Sequence, residues 1–144
     1  MLDPITLEVI RNRLDAIATR MQDTLLRSAV SVILKEGEDG SCGLFAPNGD
    51  TIVQARACPM HLAVMGPTIR SVFRDYPLAT MEPGDCYVLN DPYDGGTHLP
   101  DLLMVTPIFW EGAVVAFAVA LAHHEDIGGR VQGSMGADTT ELYQ

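Results

Sequence analysis

The chain has 144 residues, 47% of them apolar, enough to bury the core of one soluble domain, and its longest apolar stretch, Ala113 to Ala122, is too short to cross a bilayer. Nine basic side chains against nineteen acidic ones leave a net charge of −10, which excludes the electropositive surface that nucleic-acid binding needs. Cys42, Cys58 and Cys86 are odd in number and form no Cys-x-x-Cys pair, and Asp3 and Glu8 fall where a secretory leader would be apolar, so the expectation is a reduced cytoplasmic protein without disulfides, thiolate zinc or a membrane segment.

In chain order, Asp3-Pro4 joins an N-cap residue to proline at the first helical position. Ile10, Leu14, Ile17, Met21, Leu25 and Ala29 then recur at three- and four-residue steps without Gly or Pro, predicting one amphipathic helix over roughly 4–30. At about 40 Å it reads first as an ordinary core helix, with docking of half of its apolar stripe to a missing part of the chain or another subunit as the second reading. Lys35 to Gly40 is a polar approach to a hairpin, whose strands 41–45 and 51–55 flank the turn formers Pro47 and Asn48-Gly49. Leu62, Met65, Ile69, Val72 and Phe73 predict a second helix over about 62–75, with Gly66-Pro67 as an alternative start. Pro83-Gly84-Asp85 turns the chain into a strand at 86–89, which delivers Asn90 and Asp91 to a glycine-rich loop.

Residues 102–109 and 113–121 are apolar, β-branched runs joined by Glu111-Gly112, a two-residue hairpin loop. With Trp110 facing Ala113, strict pairing sets Pro100 opposite His123 and Asp101 opposite Ala122. Pro107 cannot donate to a ladder and predicts an edge, a bulge or a one-residue slip, which would exchange which of His123 and His124 faces Asp101. The tail from Gly128 to Gln144 reaches no further packed element. The expected fold is therefore α+β, a long N-terminal helix with antiparallel β-hairpins, forming an incomplete portion of a larger mixed α/β subunit that is truncated after Gln144.

Neighbouring strands lie about 5 Å apart, so the second hairpin gathers His98, Asp101, His123 and His124 at its open end. Two imidazoles and one carboxylate suit Mn, Fe or Zn and leave coordination positions free. Asp91, Asp94 and Asp126 are expected to orient the rings, and Gly95-Gly96 and Gly128-Gly129 to offer free N–H groups to a ligand. A lone His-x-x-Asp is a weak signal; the hairpin is what strengthens it. His61, at a helix start, reads first as a capped or half-buried residue with substrate contact as the second reading, Glu38-Asp39 as a solvated turn, and Cys42 as packing.

Taken in order, these motifs resemble the hydantoinase B/5-oxoprolinase family, which includes the large subunits of N-methylhydantoinases and of acetone and related carboxylases. The resemblance rests on Asp3-Pro4-Ile5-Thr6-Leu7-Glu8-Val9-Ile10-Arg11, Lys35-Glu36 through Ser41-Cys42, His61-Leu62, Asn90-Asp91-Pro92-Tyr93, and Gly95-Gly96-Thr97-His98-Leu99-Pro100-Asp101. His123-His124, Asp126-Ile127-Gly128-Gly129 and Gly133-Ser134-Met135 complete it. It covers only an N-terminal portion of the family's length. It implies a metal-binding subunit that opens a cyclic amide, a hydantoin or 5-oxoproline, together with a hydantoinase A-like ATPase partner in a hetero-oligomer. That partner phosphorylates the amide oxygen, and no G-x-x-x-x-G-K-[ST] loop occurs in this chain to bind ATP itself. The implied metal ligands are His98, Asp101 and His123, with His124 among the catalytic residues and Gly95, Gly96, Asp91 and Asp126 around the bound group. The choice of His123 departs from strict pairing, and Pro107 is the expected cause. An acetone-carboxylase-like subunit and an inert assembly module are the alternatives, and a non-haem iron oxygenase ranks last.

Overall fold

Asp3 begins the structure as its sequence predicts, its carboxylate accepting the backbone N–H groups of Ile5 and Thr6 at the start of α1, Pro4–Ser28. The computed structural model describes residues 3–131, 133–134 and 136–141. Only Ala18 and Gln22 of α1 are buried; Leu14 and Met21 of the stripe pack partly against the sheet, while Ile10 and Ile17 stay exposed, as do Ile5, Leu7 and Val9. A single helical turn, α2 (Val32–Lys35), capped by Ser31, leads to the sheet.

Five strands form one antiparallel sheet: β1 (Gly40–Phe45), β2 (Thr51–Gln54), β3 (Tyr87–Leu89), β4 (Asp101–Trp110) and β5 (Ala113–His123), in the spatial order β2-β1-β5-β4-β3. The two predicted hairpins supply four of its strands, joined by β1 against β5, and β3 is added at the outer side of β4. Alternation assigns Phe45, Leu103, Val105, Phe117, Val119 and Leu121 to one face, where they pack with Met65, Ile69 and Val72 of α3 (Pro59–Asp75). On the other face Ala18 of α1 meets Leu44, Val53 and Ala55. The architecture is α+β, as expected. Among the described residues no helix is long and apolar enough to cross a membrane.

Two sequence expectations need correction. Gly66-Pro67 is not a helix start: α3 begins at Pro59 and runs through Pro67. Pro67 forgoes one helical hydrogen bond, and burial of Met65, Thr68, Ile69 and Val72 keeps the helix continuous. In the β4–β5 hairpin, Trp110 pairs with Ala113 and Phe109 with Val114 as counted, but Ile108 pairs with Ala116. Val115 is thus an extra residue, a β-bulge, and the ladder beyond it is offset by one. Asp101 consequently faces His123, not Ala122. Pro107, opposite Phe117, sits next to this bulge and beyond the span of β4 that β3 covers, so on that flank no partner needs its missing N–H.

Candidate metal centre

Four segments converge at one end of the sheet: the approach to β1, the first turn of α3, the loop before β4, and the end of β5. The β5 backbone is fastened on both sides there. His123 N–H donates to the Asp39 carbonyl (3.1 Å), and His124 N–H to the Pro100 carbonyl (2.8 Å). The loop 90–100 is shaped by its own polar groups. Asp91 caps the short turn Pro92–Asp94 through the Tyr93 N–H, Gly96 N–H donates to the Asp91 carbonyl, and Asn90 donates to the Leu99 carbonyl. Gly95, at φ 95°, presses against the α3 backbone, where a Cβ would come within 3.1 Å of Thr68.

This construction brings His98 Nε2, Asp101 Oδ1 and His123 Nδ1 into a triangle. Its edges are 3.0 Å between the two ring nitrogens, 3.1 Å from His98 to Asp101, and 2.9 Å from His123 to Asp101. Asp101 and His123 are buried, and the His98 side chain is 38% exposed, so the triangle is open on one side. Thr97 donates its hydroxyl to the other Asp101 oxygen, Oδ2. Burial works to raise the Asp101 carboxyl, but the Thr97 hydrogen bond, His98, the His123 hydrogen bond and His61 outweigh it and hold it below the ordinary carboxylate range.

The donor set fits a divalent ion. Nitrogen and oxygen ligands about 2.1 Å from a metal and at right angles to one another are separated by about 3 Å, the length of each edge here. Three lone-pair atoms so close together share at most one proton along each contact, and a cation at their centre balances all three at once.

Three further residues lie beside the triangle: Asp39 and Ser41, which the sequence did not place there, and His61, for which substrate contact was only the second reading. His61 is fully buried, its Nδ1 2.9 Å from the Ser41 hydroxyl and its Nε2 3.4 Å from Asp39 Oδ1 and 3.8 Å from Asp101 Oδ2. Asp39 also approaches His123 Nδ1, at 3.8 Å, and is therefore no mere solvated turn. Their signal was the run Asp39-Gly40-Ser41 before a strand, which sequence periodicity could not pair with β5.

Other expected residues have local tasks. Asp94 forms a two-pronged ion pair with Arg74, and Asp126 accepts from Gly128 N–H, Gly133 N–H and the Ser134 hydroxyl, closing the 126–134 loop. With Asp91 engaged as a cap, none of the three orients a histidine ring in this structure. The Gly96 N–H is likewise taken internally. His124 is exposed just past β5 and outside the triangle. Cys42 is buried and its thiol is pushed up to about 11 by burial, in keeping with packing.

Comparison with known proteins brings this geometry into a family context. The hydantoinase B/oxoprolinase family profile matches residues 3–144. The chain belongs to the hydantoinase B/oxoprolinase family. It is 38% identical over 143 residues to 5-oxoprolinase PfmaA of Pestalotiopsis fici, covering 99% of this chain and 11% of that one. With a putative D-/L-hydantoinase subunit of a Pseudomonas strain it shares 32% over 149 residues, covering 99% and 25%. Among solved structures, the ATP-dependent caprolactamase of Pseudomonas jessenii superimposes with a TM-score of 0.86 at 30% identity, covering 99% of this chain and 24% of that one. Acetone carboxylase shares the fold, with a TM-score of 0.80 at 24% identity over 88% of this chain and 17% of that one. The chain thus spans a tenth to a quarter of the length of these relatives.

Proposed function

We propose that this chain provides the metal-binding part of an ATP-dependent cyclic-amide hydrolase of the 5-oxoprolinase and hydantoinase type, acting with a hydantoinase A-like ATPase partner. The observation that carries this reading is the convergence of His98 Nε2, Asp101 Oδ1 and His123 Nδ1 on one point, open to solvent on the His98 side. Relatives named 5-oxoprolinase and an ATP-dependent caprolactamase support cyclic amides as the substrate class, and a relative named as one subunit of a hydantoinase supports a multi-subunit assembly.

A divalent ion at this position supplies Lewis-acid activation of water and stabilisation of developing negative charge. The protein's own residues supply the rest. His98, Asp101 and His123 would hold the ion, and Asp39 presents a further carboxylate beside them. Thr97 holds the second Asp101 oxygen, leaving Oδ1 to the triangle. An amide carbonyl is a poor electrophile, and phosphorylation of its oxygen by the partner makes the carbon accessible to attack at this site. The three free cysteines fit the reducing cytoplasm in which such an enzyme would work.

Elemental analysis of the purified chain beside the His98→Ala/His123→Ala double variant tests the reading. Near-stoichiometric Mn, Zn or Fe in the parent and its loss from a folded variant are expected. A folded parent that takes up none of these ions when dialysed against them removes the basis of the proposal.

A further inference from the structure

His61 has no place in the triangle, yet it is an imidazole 1% exposed, set in the first turn of α3 among the groups that surround Asp101. Such a ring is costly to bury unless both nitrogens find partners. One of them is assigned: Nδ1 lies 2.9 Å from the hydroxyl of Ser41, itself fully buried on β1. The other, Nε2, lies between two carboxylates, 3.4 Å from Asp39 and 3.8 Å from Asp101.

These contacts fix the tautomer. A carboxylate only accepts, so a bare Nε2 would set its lone pair against two acceptors, whereas an Nε2–H is attracted to both. The proton of the neutral ring therefore sits on Nε2, and Nδ1 accepts from the Ser41 O–H. We infer that His61 is a positioning residue, whose ring is anchored by Ser41 and whose Nε2–H holds the Asp39 and Asp101 carboxylates in register with the metal-binding triangle. Asp101 Oδ2 then has two fixed neighbours, Thr97 and His61, and Oδ1 is left to face His98 and His123. The inference rests on the metal reading above, and it accounts for an imidazole in a position where a leucine would otherwise fill the core. Outer groups of this kind usually set metal affinity by 10- to 100-fold.

The test uses the full chain, with zinc as probe. Long-range nitrogen–proton NMR of the metal-free protein is expected to report His61 with the proton on Nε2; a proton on Nδ1 overturns the inference. Zinc affinity, measured by competition with a chromogenic chelator, is expected to fall about 10- to 100-fold in His61→Leu and to stay within about threefold of the parent in His61→Gln, whose amide restores a donor near Nε2. Ser41→Ala, which leaves Nδ1 without its partner and the ring free to turn away from the carboxylates, is expected to weaken zinc binding and provides the readout should His61→Leu not fold. Equal affinity in His61→Gln and His61→Leu, or in Ser41→Ala and the parent, would mean that the ring only fills space. A parent that binds no zinc, manganese or iron would instead bring down the metal reading, and this role with it.

Discussion

His98→Ala isolates the metal-binding hypothesis from folding, because this side chain sits at the rim, 38% exposed, while Asp101 and His123 are buried. In metal-free protein the variant is expected to melt close to the parent. Zinc at a hundred times the parent's Kd would stabilise the parent by about 2.7 kcal/mol. For a domain of this size each kcal/mol moves Tm by about 2–4 °C, so the parent should gain about 5–11 °C. Removing one of three donors should weaken binding by at least the roughly 100-fold seen for outer partners. Zinc then stands near the variant's own Kd, and the stabilisation falls to about 0.4 kcal/mol, a shift of about 1 °C. Differential scanning fluorimetry across a zinc titration measures both. Equal zinc shifts in parent and His98→Ala would refute the assignment of His98 Nε2 as a ligand.

Asp101 makes a second, pH-dependent prediction for the metal-free protein. Its folded-state pKa is lowered, so it contributes stability above its unfolded value of about 3.9 and loses that contribution as pH falls through the folded value. The advantage of the parent over Asp101→Asn in urea melts should shrink as pH falls below about 4; a gap that widens over that range contradicts this. Gly96→Ala would place a Cβ 2.7 Å from the Asp91 carbonyl, displacing the loop that carries His98, and zinc affinity should drop although Gly96 touches no donor. Phe117→Ala removes a fully buried ring tilted against Phe73 with centroids 4.8 Å apart and should cost about 3–5 kcal/mol in chemical denaturation. With a thiol reagent at pH 8, Cys86 should react promptly and Cys42, buried and pushed up to about 11, only on unfolding; prompt labelling of Cys42 would show that β1 opens readily.

What the sequence made legible was local. The cap at Asp3, the hairpin turns and the Trp110–Ala113 pair follow from short-range rules, and the hairpin gathers His98, Asp101, His123 and His124 at its open end, whereas the choice of His123 over His124 rests on the family resemblance. The bulge at Val115 was not readable, because an extra residue in an alternating apolar run leaves the composition unchanged; Pro107 marked its neighbourhood without fixing its position. The place of Asp39, Ser41 and His61 beside the triangle was missed because it depends on β1 lying against β5 and on α3 covering that sheet face, neither of which any local period encodes. Conversely, Asp91, Asp94 and Asp126 looked like ring partners from proximity in sequence, but short carboxylate side chains beside turns find backbone N–H groups or a helix arginine first.

That division has a consequence for how such a site can change. The three donors ride on one hairpin and its leading loop, whereas Asp39, Ser41 and His61 come from the first half of the chain. Under the proposed metal reading, substitutions in that half would alter ion preference or strength of holding without touching His98, Asp101 or His123. The chain segment that builds the sheet's other half would then work as an adjustable mount, and the hairpin as the hardware fixed to it.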